Sequence, residues 1–272
     1  LSDDGARLAC LRYKGFDILT TVPGVFVPPD KDYGKYETRP VYGYDDCFPT
    51  VEPCMNPDDG LELSDHGTLC WLPWNVELTG TGMVCSVTTE TPSVFFVREL
   101  KFTETGLRWS FKVSNLGVGP VSFQHVMHPL MSVDAVKSLT LPDYSCFYDV
   151  VAGEALKIGN GVESWKFFDT VRFGSSRMVF LQGCLEGKFS IAFKNGLWVN
   201  VSYPLKIFPT LGVWWNNGGY PDEDGFRRKE CAVEPVPGKT STLAEAAHDG
   251  LCQKVEPGST LNWDVDWEMT DA

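Results

Sequence analysis

The chain contains four histidines, the side chains whose ordinary pKa lies nearest neutrality, so acid–base chemistry at physiological pH starts from a short set of candidates. His66 lies in Ser64-Asp65-His66-Gly67, within a stretch rich in Pro, Gly and Asp. His125 and His128 share Gln124-His125-Val126-Met127-His128-Pro129. On one extended strand their odd spacing sends them to opposite faces, so they share a site only if the strand ends between them, as Pro129 would allow. His248, in the polar run Ala246-Ala247-His248-Asp249, is expected to be exposed and without a role. A histidine in an apolar stretch is more often a hydrogen-bonded core residue than a catalyst, and His128 is open to both readings. A metal is the competing use: His125, His128 and His66 with a carboxylate would supply ligands, although the spacing matches no zinc signature.

Among the acids, Glu234 stands apart by context. It ends the apolar run Cys231-Ala232-Val233-Glu234-Pro235, and Pro235 biases it toward an extended conformation. A carboxylate between Val233 and Pro235 is partly desolvated, which raises its pKa and suits a general base; the plainer reading is one solvated acid among 36 Asp and Glu. In Leu211-Gly212-Val213-Trp214-Trp215-Asn216-Asn217 the two tryptophans face opposite ways on a strand. One belongs in the core and the other, with Asn216, suits a cleft wall, because an amide donates and accepts as sugar hydroxyls require. Asp45 or Asp46, in Tyr44-Asp45-Asp46-Cys47-Phe48-Pro49-Thr50, is expected to face that cleft.

The elements that must position these groups are strands. Leu107, Trp109, Phe111 and Val113 alternate with polar residues, and so do Leu261, Trp263, Val265, Trp267 and Met269. Phe95 to Phe102 reads as a further strand. Asn195-Gly196 between two alternating runs predicts a hairpin closed by a type I′ turn. Thr242 to His248 is the one helix suggested, with Thr240 or Ser241 as its cap. The 26 Gly and 18 Pro punctuate the chain without a repeat or a linker, so one domain over 1–272 is expected, built as a large antiparallel two-sheet sandwich. Residues 23 to 75 break the strand rhythm, and a long irregular segment in a compact domain is more often functional than idle.

Bulk properties exclude partners. A formal net charge of -13 does not suit a phosphate backbone or an anionic membrane surface. No apolar stretch approaches bilayer length, and no leader is visible in these residues. Nine scattered Cys without a CxxC pair suggest free thiols in a reducing compartment, hence a cytoplasmic location; Cys47 and Cys54, flanking a Pro-rich turn, are the one pair suggested for a disulfide. Aromatic residues make up 13% of the chain, which suits pleated surfaces and sugar faces alike.

Three segments, in order, resemble the aldose 1-epimerase (galactose mutarotase-like) superfamily: Asp65-His66-Gly67 followed by Leu72-Pro73-Trp74; Asn115-Leu116-Gly117 running on to His128-Pro129-Leu130; and Cys231-Ala232-Val233-Glu234-Pro235 with Gly238. Leu261 to Trp267 fits the family's last strand, and the Tyr44 to Thr50 segment is most similar to uncharacterised bacterial members. The resemblance implies an all-β supersandwich and no metal or organic cofactor. It implies a small-molecule sugar substrate whose α and β anomers are interconverted by a monomer or homodimer. By resemblance, Glu234 is the general base, His128 the general acid, and His66 a hydrogen-bonding aid near the ring oxygen. Arg39 stands where hexose-phosphate epimerases carry an Arg, and Asp46, Trp214 and Asn216 complete the expected sugar-binding set. The other readings from the residues are a non-catalytic carbohydrate-binding protein on the same fold and the metal-dependent isomerase with His125, His128 and His66.

Overall fold

The computed structural model describes residues 1–223 and 227–271, and the alternating segments are strands in it. In strand Gly106–Asn115 the side chains of Leu107, Trp109, Phe111 and Val113 are buried while Arg108 and Lys112 meet solvent. Strand Thr260–Asp271 pairs with it antiparallel, Trp263 opposite Phe111 and Val265 opposite Trp109, so the two apolar faces coincide. These strands are the centre of an eight-stranded sheet that runs, in order across it, Val136–Thr140, Lys188–Phe193, Leu197–Ser202, Thr260–Asp271, Gly106–Asn115, Val94–Phe102, Gly82–Thr89 and Asn75–Thr79. A six-stranded sheet runs Met131–Ser132, Lys229–Val236, Thr210–Asn217, Ser175–Gln182, Cys146–Asp149 and Glu154–Leu156. All pairings in both sheets are antiparallel.

One continuous apolar core, including Trp109, Phe111, Trp263, Val213, Trp215 and Val233, joins residues of the two sheets. The six-stranded sheet is buried on its second face as well. Phe180 and Val236 pack there against Cys47 and Val126, and Ala232 and Trp214 pack beside Tyr36. Cover for that face comes from a short antiparallel pair, Tyr44–Cys47 with Val126–Pro129. Burial on both faces explains why every residue of Lys229–Val236 after the first is buried, Glu230 and Glu234 included, instead of every second one.

Several local expectations are corrected. The Asn195-Gly196 hairpin forms, but the N–H of Gly196 donates to the carbonyl of Phe193, and Gly196 (φ 94°) alone of the pair lies at positive φ. A type I′ turn would need both residues there, so a four-residue turn with a terminal glycine replaces it. The helix Leu243–His248 has Thr242 at its N-cap position in place of the expected Thr240 or Ser241. A second helix, Val162–Asp169, was not signalled by the sequence; its Phe168 is in the core against Trp215. Cys47 and Cys54 are both free thiols. Among the described residues no helix is long and apolar enough to cross a membrane.

Candidate active site

The chain path brings His128 and Glu234 together by register. Residues 126–129 pair with Tyr44–Cys47, setting His128 opposite Asp45. Two residues later the same run changes partner: Met131 pairs with Cys231 and Ser132 with Glu230 on the edge of the six-stranded sheet. In an antiparallel pair each step back along one strand is a step forward along the other. Continuing that register three residues from Met131 to His128 arrives at Glu234. Pro129, which cannot donate to a ladder, lies where the change of partner occurs. His128 Nε2 accordingly stands 3.9 Å from Glu234 Oε1, with both residues buried.

His66 arrives from the irregular segment. Its backbone is left-handed (φ 56°), and Gly67 follows at φ 68°. A Cβ on Gly67 would lie 1.9 Å from the carbonyl oxygen of Phe48, a carbonyl that also accepts the N–H of Thr68, so only glycine fits this approach. His66 stacks on Tyr36 with ring centroids 3.7 Å apart and planes 6° from parallel, and its ring lies 5.0 Å from that of His128. Its Nδ1 is 2.8 Å from Asp65.

Asp45 anchors the assembly. Its carboxylate receives the Tyr36 hydroxyl at 3.0 and 3.1 Å, faces His128 Nδ1 at 3.2 Å, and pairs with Arg7 at 3.0 Å and Arg39 at 3.2 Å. Burial alone would raise its pKa, but the Arg7 charge and the His128 hydrogen bond overcome it and bring it down to about 2. Burial likewise disfavours the His128 imidazolium. The hydrogen bond to Asp45 and the charges of Glu234, Asp45 and Glu230 outweigh that, so its pKa lies above the ordinary histidine value. Burial pushes the Glu234 carboxyl up, against the pull of His128 and His66. The result is a pair of groups able to exchange a proton, with the His128 tautomer set by Asp45: Nδ1–H donates to the carboxylate and Nε2 faces Glu234.

The other expected residues divide. Trp214 is half-buried and lies on the same face of the six-stranded sheet as Glu234, edge-on to Tyr220 at 5.5 Å, while Trp215 is core. Arg39 contributes through Asp45: its guanidinium also pairs with Asp4 at 2.9 Å, donates to the carbonyl of Cys70 and lies over the Trp71 ring at 5.0 Å. Asp46 points away from the site, because neighbours on a strand face opposite sides; it holds Arg98, the Tyr44 hydroxyl and His125 Nε2 in the interior. Its expected role at the sugar is therefore corrected to that of a core ion pair. Asn216 is fully buried and spends its amide on a turn, accepting the N–H of Gly219 and Tyr220 and donating to the carbonyl of Tyr220. It is corrected to a turn residue. His125 sits among Phe96, Phe111 and Trp263, so the expected ligand trio of His125, His128 and His66 does not assemble.

Tyr36, Asp45, Arg7 and Cys47 complete the site. Strand alternation singles out Asp45 once His128 is fixed; nothing in the sequence marks Tyr36 or Arg7. Cys47 lies on the Asp45 side of its strand, its Sγ within 4.8 Å of ring nitrogens of both His66 and His128.

No protein-family model and no curated protein matches this sequence. Solved structures do match in shape. The Slr1438 protein of Synechocystis sp. PCC 6803 superposes with a TM-score of 0.75 at 15% identity, over 100% of this chain and 91% of that one. A galactose mutarotase-like protein from Lactobacillus casei gives 0.66 at 17% identity, covering 99% and 96% of the two chains. A galactose mutarotase-related enzyme from Lactobacillus acidophilus gives 0.61 at 15% identity, covering 100% and 93%. At such identities the likeness is one of fold, and the fold of this chain is galactose mutarotase-like.

Proposed function

We propose that the chain is an aldose 1-epimerase acting on a sugar without a bound metal. The observation that carries the proposal is the His128–Glu234 pair, 3.9 Å apart, buried and oriented by Asp45. Glu234 takes the proton from the anomeric hydroxyl as His128 protonates the ring oxygen, and the bond from C1 to that oxygen breaks. The open-chain aldehyde turns about its C1–C2 bond, and the ring closes on the other face of the carbonyl with the two groups in exchanged roles. Both oxygens sit on C1, so donor and acceptor must be neighbours along one edge of the sugar. The separation of 3.9 Å suits that edge-on approach. His66 adds a hydrogen bond near the anomeric centre, and Trp214 lies against a C–H face.

A sugar without a phosphate is favoured, because Arg39 is already engaged with Asp45 and Asp4. The test is exchange spectroscopy at the anomeric carbon across a panel of aldoses and uronates. Accelerated exchange for at least one member, lost in Glu234→Gln, is the expected result. Sugar binding with no acceleration for any member gives the carbohydrate-binding reading instead.

A further inference from the structure

The pair that moves protons is also part of a ligand set. We propose that Cys47, His66, His128 and Glu234 form a binding site for a borderline-soft divalent cation, with Zn²⁺ as the ion of choice. The thiol sulfur of Cys47 and one ring nitrogen each of His66 and His128 lie within 4.8 Å of one another. Glu234 Oε1 is 3.9 Å from His128 Nε2 but outside that mutual group of three, so it is the donor that swings in to complete the set.

The second layer of contacts matches what a zinc site needs. His66 Nδ1 is held by Asp65 at 2.8 Å and His128 Nδ1 by Asp45 at 3.2 Å, leaving Nε2 of each ring for the cation. A carboxylate behind each ligating imidazole fixes its tautomer and ring orientation. Asp45 is itself fixed by Arg7 and Arg39, and His66 by its stack on Tyr36. One sulfur, two nitrogens and one carboxylate oxygen suit tetrahedral Zn²⁺ and disfavour Mg²⁺ or Ca²⁺, which take oxygen ligands. With Zn–S near 2.3 Å and Zn–N near 2.0 Å, donor atoms around the ion stand about 3.5 Å apart, so the trio of Cys47, His66 and His128 has to contract by about 1 Å and Glu234 has to turn toward it, both by side-chain rotation. Binding removes the Cys47 thiol proton to solvent, and the thiolate and carboxylate charges together balance the cation. His66, half-buried, is the member through which the ion reaches the others.

Metal binding is measured without sugar, so its outcome is independent of the proposed activity. The full chain is stripped with a chelator, loaded with Zn²⁺ or Co²⁺ and desalted. One Zn²⁺ retained per chain is expected. The Co²⁺ form should show the intense visible bands of a tetrahedral ion and a thiolate-to-metal charge-transfer band in the near ultraviolet. Cys47→Ser should lose the charge-transfer band, and both it and His66→Ala should weaken Zn²⁺ binding by on the order of 100-fold. His66→Ala lies on a half-buried loop and serves if the buried Cys47→Ser chain does not fold. Failure to retain Zn²⁺, weak octahedral Co²⁺ spectra, a charge-transfer band that survives Cys47→Ser, or undiminished Zn²⁺ binding in His66→Ala each overturns the assignment.

Discussion

Asp45 and Asp46 are neighbours on one strand, yet they hold two different histidines on opposite sides of it: Asp45 faces His128 Nδ1 at 3.2 Å, and Asp46 faces His125 Nε2 at 2.9 Å. The pleat alone dictates the split. It gives one residue to the candidate site and the other to the interior, where Asp46 also meets Arg98 and the Tyr44 hydroxyl. The two carboxylates therefore have separable consequences when altered.

Asp46→Asn is expected to destabilise the fold. The Arg98 side chain is 1% exposed and would lose the carboxylate of Asp46, and an uncompensated buried charge costs about 3–5 kcal/mol. Urea unfolding, compared with wild type at pH 7, measures this. A change below about 1 kcal/mol, with folded structure unchanged, would mean that the Arg98 ion pair does not support the core.

Asp45 has its own signature in acid. Its folded-state pKa of about 2 lies below the ordinary value of 3.8, so its contribution to stability is present above pH 4 and disappears as pH falls toward 2. The pH-dependent part amounts to about 2 kcal/mol. The stability difference between wild type and Asp45→Asn should therefore shrink by that amount between pH 5 and pH 2, followed by denaturant titration at each pH. A difference that stays constant across this window would show that the carboxylate is not held ionised by Arg7 and His128.

The strands were legible because burial on one face imposes a period of two, as in 107–113 and 261–269. His128 and Glu234 are singled out as a pair only by the motifs of a family resemblance; their proximity has a simple cause in the register of Met131 with Cys231. Asp46 and Asn216 were misplaced because a polar residue in a strand carries no label for the face it will take; that depends on which neighbour covers it. Tyr36 and Arg7 leave no pattern, since Tyr36 lies in a single 3-10 turn and Arg7 near the start of the chain outside any strand or helix, and tertiary contacts set the path of both. Cys47 drew notice only as a disulfide partner, although alternation from Asp45 points it at the two histidines.

Trp214 tests the cleft wall. It is half-buried on the Glu234 face, and truncation removes the aromatic surface proposed to meet the sugar while leaving His128 and Glu234 in place. Trp214→Ala should raise KM about 10-fold or more while changing kcat little, because stacking is made equally in ground and transition states. Steady-state measurement with the substrate found by exchange spectroscopy checks this. An unchanged KM would place the sugar elsewhere on the sheet.

Chelation and zinc should act in opposite senses. Treatment with a chelator is expected to leave turnover intact or raise it, whereas added Zn²⁺ should inhibit competitively with sugar, since it takes the lone pairs of His128 and Glu234. The assay is initial rate against sugar concentration at several Zn²⁺ activities. Turnover lost on chelation and regained with Zn²⁺ would instead make the cation a cofactor and reject the two-residue mechanism.

The pH dependence of turnover is the sharpest consequence of the His128–Glu234 pair. The forward step needs Glu234 ionised and His128 protonated. Burial raises the Glu234 pKa above its ordinary 4.5, so activity should rise with pH through that group, later than for an exposed acid. Burial opposes the His128 charge, but Asp45, Glu234 and Glu230 raise its pKa above 6.5, so activity should fall with pH only above that value. Because the groups interact, the two apparent values belong to the pair. Glu234→Gln should remove the acid limb and lower kcat by on the order of 100-fold or more while sparing sugar binding, and His128→Ala should remove the alkaline limb with a similar loss. Asp45→Asn takes away the hydrogen bond and the negative charge that hold the imidazolium, so its alkaline limb should move to lower pH and narrow the active window. Full profiles of kcat and kcat/KM for the three variants decide the matter. Wild-type turnover in both Glu234→Gln and His128→Ala would reject the assignment of base and acid. An alkaline limb unmoved by Asp45→Asn would show that Asp45 does not set the proton affinity of His128.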